Sequence, residues 1–370
     1  MRRFSLIPLL VVLGLAMAGC TTSAAQPTDT ASQPDPAIGT DQMADPTSSD
    51  AELQAAAIQC LAGPIITSRP LRIVTTVAPI TSLVGIMAGN IGHTVQGLVP
   101  EGTNSHTFEP PPSAAQILEQ ADIVFMNGLQ LEDPTKAMAK SNAKKAVLCE
   151  LGTATLPASD WLYDFSFPKE GGKPNPHLWT NPPMVLGYLT MIRDVLIGAD
   201  PLNATKYDEN YVALSQDVMV LDEAMKKAVE TIPAPNRQLL TYHDAYAYFS
   251  RYYGFKVIGA IQPQSFEEPS PKEVAALIEQ VKANKVPAIF GSEVFPSAVL
   301  ATIGKEANVS YVNVLRDDDL PDKPGSMDHS WAGLMRFNFV TIVSALGGDS
   351  RALSELKFKT AVLDKATYPQ

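Results

Sequence analysis

Positive charge is scarce in this chain. Lys and Arg number 28 against 39 Asp and Glu, which gives a formal net charge of −11 over 370 residues. A deficit of that size excludes nucleic acid or an anionic lipid face as the main partner, because both bind through an excess of cations. No HExxH run occurs, and neither glycine-rich anion nests nor paired arginines follow the strand candidates. The first absence removes the commonest zinc-hydrolase signature, and the second removes an anion receptor. Nothing has the form of an exposed adhesive repeat, so a surface adhesin is at most a secondary reading. The apolar fraction of 45% and the length point to a globular protein of two domains plus extras.

The one conspicuous apolar run is N-terminal and short. Arg2 and Arg3 precede Leu6 to Ala16, which ends in Met17-Ala18-Gly19-Cys20. This is a secretion signal over residues 1–19, too short to span a bilayer. Small residues before a cysteine resemble a bacterial lipobox, in which Cys20 is lipidated. The protein is then expected outside the cytoplasm, tied to the outer face of the cytoplasmic membrane by a lipid anchor alone. From Thr21 to about Ala55 the chain is Ser, Thr, Pro, Asp, Gln and Ala. Such a segment buries too little to offset its ordering entropy, so residues 20–68 are expected to be a tether. Cys60 and Cys149 remain. An oxidising compartment makes a disulfide between them plausible, with two buried thiols as the alternative.

Beyond Arg72 short apolar strands alternate with helices: Ile73–Val77, His93–Val99, Asp122–Met126 and Lys145–Cys149. The second half repeats the pattern with Gln238–Tyr242, Lys256–Gly259, Ala288–Gly291 and Tyr311–Leu315. This is the grammar of parallel sheets covered on both faces, an α/β fold. Between the halves, Tyr207, Tyr211, Leu214, Val218, Leu221, Met225, Ala228 and Ile232 recur at spacings of four and three. That is the buried stripe of one long helix, opened by Asp200-Pro201. The expected division is an N-terminal lobe over 69–199, the linking helix over 200–232 and a C-terminal lobe over 233–370.

In open α/β sheets the ligand crevice lies beyond the carboxyl ends of the strands. His106 in NSHTFEPPPS and His243 in YHDAY follow strands in opposite halves. His177 sits on the stiff loop NPHLWTNP, and Asp317-Asp318-Asp319 follows the last strand. Imidazoles with one carboxylate are common ligands of Zn²⁺, and also of Mn²⁺ or Fe²⁺. His93, with no polar company in sequence, reads as structural, and His329 as a surface histidine. Ser113 reads as the cap of the helix that follows the prolines.

NSHTFEPPPS, NPHLWTNP, YHDAYAYFSRYYGF and LRDDDLP, followed by WAGLMRFN, resemble in order the signatures of the metal-binding, substrate-binding lipoproteins of bacterial ABC importers, the zinc/manganese cluster A-I. The resemblance runs from about Leu71 to Gly348. It implies two (β/α) lobes joined by one rigid helix, with the metal between them. It also implies a monomer that hands its ion to an ABC permease and its ATPase, with no catalytic activity. Carried over by motif, the ligands are His106, His177, His243 and Asp318, with Asp317 and Asp319 as neighbouring registers. Asn175 stands where the family more often has aspartate, and the His-rich loop of the zinc branch is missing between Glu132 and Pro176. Three imidazoles and one carboxylate favour Zn²⁺ over Mn²⁺ or Fe²⁺. With ordinary imidazoles, binding is expected to weaken as pH falls through about 6.5.

Overall fold

Two four-stranded sheets, both wholly parallel, organise the chain. The computed structural model describes residues 46–164, 166–260, 269–292, 298–360 and 362–369. The signal segment and Cys20 lie outside the described residues. The N-terminal half contains α1 (Pro46–Leu61), β1 (Arg72–Thr75), α2 (Ala78–Ala88), β2 (Thr94–Gly97), α3 (Pro112–Glu119), β3 (Ile123–Met126), α4 (Asp133–Asn142), β4 (Val147–Glu150), α5 (Leu151–Thr155) and α6 (Pro182–Ala199). After α7 (Ala204–Thr231) come β5 (Gln238–Thr241), α8 (Ala247–Tyr253), β6 (Lys256–Ala260), α9 (Pro271–Asn284), β7 (Ala288–Ser292), α10 (Ala298–Ala307), β8 (Ser310–Leu315), α11 (Trp331–Ala345) and α12 (Arg351–Ser354).

The strand orders are β2-β1-β3-β4 and β6-β5-β7-β8, so the two sheets are wound alike. Strands β3 and β7 are buried at every position, which explains why both read as unbroken apolar runs rather than alternating ones. In each sheet the chain order reverses between the first and third strands. The loops above that point form the crevice in which such sheets bind ligands.

Helix α7 runs 28 residues, or about 42 Å at 1.5 Å per residue. Its buried face carries Tyr207, Leu214, Val218, Leu221, Met225 and Ala228, the stripe read from sequence. Asp200-Pro201 opens a 3-10 turn over Pro201–Asn203, and the α-helix proper starts at Ala204. α7 packs against α2 and α6 of one lobe and α11 and α12 of the other. Two buried tryptophans lock the lobes beside it. Trp179 Nε1 donates to the Asp317 carbonyl at 3.0 Å, and Trp331 Nε1 donates to the Trp179 carbonyl at 2.9 Å. The Trp331 backbone N–H in turn donates to Ser82 Oγ of α2.

Four details depart from the sequence reading. The stretch taken as a tether through residue 68 is helical from Pro46, because Ala51–Gln59 is rich in strong helix formers. That helix packs on β4, α5 and α6, and Cys60 forms a disulfide with Cys149 of β4, their Cα atoms 4.5 Å apart. Ser113 does not cap α3; Pro111, extended at φ −67° and ψ 158°, occupies the cap, and its ring geometry sets the helix start. The chain's last residues do not stay with the C-terminal lobe. Asp217 of α7 accepts the backbone N–H groups of Lys359 and Thr360, and Thr367 then bridges to Gln96, extending the N-terminal sheet beyond β2. Finally, His329 is buried rather than exposed, at 1% exposure.

Candidate metal centre

Each of the three motif histidines arrives from a different loop. His106 lies between β2 and α3, with its backbone N–H held by Asn104 Oδ1 at 2.9 Å. His177 lies just before α6, and His243 just after β5. Their Nε2 atoms form a triangle: 3.1 Å from His106 to His177, 3.1 Å from His106 to His243, and 2.9 Å from His177 to His243. A tetrahedral zinc ion with Zn–N bonds of 2.0–2.1 Å sets its nitrogen ligands about 3.3 Å apart. The triangle is therefore close to a coordination face. Among the described residues, these three form the one group of His, Cys, Asp or Glu able to hold a metal ion, with ligand atoms within 4.8 Å of one another.

The tautomer of His177 follows from its partner. Nδ1 lies 2.8 Å from Asn175 Oδ1, and an amide oxygen only accepts, so the proton is on Nδ1 and Nε2 offers its lone pair. Asn175 cannot turn over, because its Nδ2 donates both to Asp164 Oδ2 at 2.8 Å and to the Asp244 carbonyl at 2.7 Å. The neutral amide thus does the orienting that a carboxylate does elsewhere.

Burial keeps the triad unprotonated. It is the largest cause of the lowered pKa of all three rings, pushing His243 down to about 3 and the other two well below their ordinary value. Neighbouring imidazoles add to the shift for His106 and His177. The expectation that acid competes through ordinary imidazoles at about 6.5 therefore gives way. Burial acts in the opposite direction on the nearby carboxyl, pushing Asp318 up to about 6.

Asp318 lies outside the tight triangle, on a loop that meets the one carrying His106. Its Oδ2 accepts the backbone N–H of Ser105, the residue before His106, at 3.3 Å, while Oδ1 is buried with no hydrogen-bond partner among the described residues. The flanking aspartates have other contacts. Asp319 Oδ1 accepts from Gly102 N–H at 2.6 Å, and the Asp317 carbonyl receives Trp179. In return Glu101 Oε1 accepts from Leu320 N–H at 3.2 Å and from His329 Nε2 at 3.1 Å. The loop before His106 and the loop bearing Asp318 are therefore stitched together across the lobes. Sequence reading missed Glu101 and His329 as partners, since 228 residues separate them. It also missed Phe167, whose ring lies against all three imidazoles, and no periodic signal marks that loop.

Two parallel-sheet lobes on a rigid helix, with converging imidazoles at their junction, define a class: substrate-binding proteins that hold a small cargo between lobes. Residues 73–345 match the family described as ZnuA, zinc-uptake complex component A, periplasmic, and the chain belongs to that family. Its members are metal-binding components of ABC transporters and not enzymes, and this chain is a divalent-metal-binding protein of that kind. The manganese-binding lipoprotein MntA of Halalkalibacterium halodurans is 29% identical over 279 residues, 75% of this chain and 88% of that protein. The iron-binding protein YfeA of Yersinia pestis is 27% identical over 286 residues, 77% of this chain and 89% of that protein. Among solved structures, the periplasmic zinc binding protein TroA from Treponema pallidum superposes with a TM-score of 0.68 at 26% identity, covering 75% of this chain and 99% of that one. No described helix is long and apolar enough to cross a membrane.

Proposed function

We propose that this protein captures Zn²⁺ outside the cytoplasmic membrane and delivers it to an ABC permease. His106, His177, His243 and Asp318 are the ligands in this reading. The observation that carries it is the triangle of Nε2 atoms at 2.9–3.1 Å, closed on two sides by Phe167 and Trp179. Three neutral nitrogens and one carboxylate oxygen suit a borderline-soft ion of low coordination number. Mn²⁺ and Fe²⁺, named for MntA and YfeA, gain more from oxygen ligands and a larger shell. Asp318 completes the set because its unpartnered Oδ1 is costly when buried and is relieved by a cation. In the adjacent register, the Asp319 carboxylate already accepts the Gly102 N–H. A lipid on Cys20 would keep the monomer at the membrane surface beside the permease.

Competitive titration of metal-stripped protein with Zn²⁺ and Mn²⁺ tests the reading. One tight zinc per chain, not displaced by excess manganese, is the expected result. Preferential retention of manganese or iron would leave a metal receptor but overturn the zinc assignment.

A further inference from the structure

Phe167 faces the three imidazoles from a loop that belongs to neither sheet. Its ring centroid lies 5.5 Å from that of His106, 5.8 Å from His177 and 6.3 Å from His243. Trp179 packs edge-on against His177, centroid to centroid at 5.0 Å, as a second aromatic neighbour. Both aromatic side chains are buried, Phe167 at 7% exposure. Neither ring has a lone pair to offer an ion.

The loop is held in place from both lobes. Asp164 N–H donates to the Phe167 carbonyl at 2.9 Å, closing a turn under the ring. Asp164 Oδ2 accepts from Asn175 Nδ2, so the same amide that orients His177 also pins the turn that carries Phe167. On the other side, Ser166 N–H reaches Asp244 Oδ2 at 3.4 Å, next to His243, and Leu162 N–H donates to Tyr248 Oη at 3.1 Å. A side chain braced this way against all three ligand-bearing rings is a fixed wall.

We propose that Phe167 sets the metal preference by limiting the coordination number. The inference rests on the zinc reading above. An ion that is complete with four ligands, three imidazoles and one carboxylate, needs nothing from the side the ring occupies. Mn²⁺ and Fe²⁺ in oxygen-rich, six-coordinate shells need one or two further ligands, usually water or a second carboxylate oxygen. The phenyl ring supplies neither and fills the space that a water would take. Phe167 is thus a specificity-determining residue that touches ligand rings without ligating, acting through solvent exclusion.

The test compares the full mature protein with Phe167→Ala and Phe167→Leu. Co²⁺ loading reports coordination number through its visible spectrum, strong for four-coordinate cobalt and weak for six-coordinate. Competition gives the Zn²⁺:Mn²⁺ affinity ratio, and thermal melting checks the fold. The unaltered protein is expected to give the strong four-coordinate spectrum. Phe167→Ala should weaken that spectrum and shrink the zinc preference by about tenfold or more, within the range seen for changes around metal ligands. Phe167→Leu, which keeps an apolar wall, should stay near the parent in both. A strong cobalt spectrum and unchanged metal ratio in folded Phe167→Ala overturn the proposal while leaving the zinc site intact. If Phe167→Ala does not fold, Phe167→Leu decides: a six-coordinate spectrum or manganese preference there overturns the apolar-wall argument. Manganese preference or six-coordinate cobalt in the unaltered protein removes the zinc reading itself, and the inference with it.

Discussion

His93 and His329 are as well enclosed as the motif histidines, with side chains 4% and 0% exposed, yet each turns its Nε2 toward a carboxylate. His93 accepts the Leu71 N–H at Nδ1, so Nε2 carries the proton, 2.6 Å from Tyr207 Oη and 3.2 Å from Asp200 Oδ2. His329 directs Nε2 at the Glu101 carboxylate. Each has an acidic partner that fixes it. In the triad, by contrast, the Nε2 atoms point at one another, and three like groups in a ring cannot all satisfy each other. A buried histidine with a carboxylate on Nε2 is part of the frame. Buried histidines whose Nε2 atoms converge are a group that could hold a metal ion.

Exchanging members of the two sets breaks this comparison most directly. His243→Ala removes one of the proposed ligands and should lower zinc affinity by more than the roughly 100-fold typical of losing an outer partner, with the melting temperature of the metal-free protein little changed. Isothermal titration of the variant reads the first effect and calorimetry the second. Retained full-strength binding would place the site elsewhere.

Acid sharpens the contrast next. Each triad histidine has a folded pKa below the roughly 6.5 of an unfolded chain, so below that pH the unfolded state binds more protons. The stability of the metal-free protein is then fully present above pH 6.5 and is lost as pH falls below it. Between pH 7 and 5.5 each histidine that stays neutral should contribute about 1 kcal/mol to the loss. Urea melts should show a shallower slope for His243→Gln. A slope unchanged in that variant would mean that His243 titrates normally in the fold.

The smallest effect belongs to the frame. His329→Ala strips a partner from Glu101 and should cost about 1–3 kcal/mol of folding free energy, leaving zinc affinity within a few-fold. Chemical denaturation and titration measure the two. A large loss of zinc affinity would show that the Glu101–His329 contact, which also holds Leu320 near Asp318, positions a ligand.

Much of this was legible in the sequence where the signal is local. Short apolar runs bounded by helical segments mark the eight strands, and a period-3.6 pattern marks the α7 stripe, each within a residue or two. The three histidines stood out because each follows an element end in a rigid, proline-marked or strand-terminal position. What could not be read depends on distant partners. His329 reads as exposed from sequence because Glu101, which its Nε2 faces, is more than two hundred positions away. Helix α1 was hidden by averaging: the polar Thr21–Asp50 stretch masked the alanine-rich Ala51–Gln59, and its main tie, Cys149, is in another element. The C-terminal strap has no periodicity, since its order comes from Asp217 and the β2 edge rather than from its own side chains.

X-ray absorption at the zinc edge of the one-to-one complex tests the central claim most directly. The account predicts four light ligands at about 2.0–2.1 Å, with the imidazole multiple-scattering signature of three histidines and one oxygen that disappears or changes in Asp318→Ala. Five or six ligands, or fewer than three imidazoles, would contradict it.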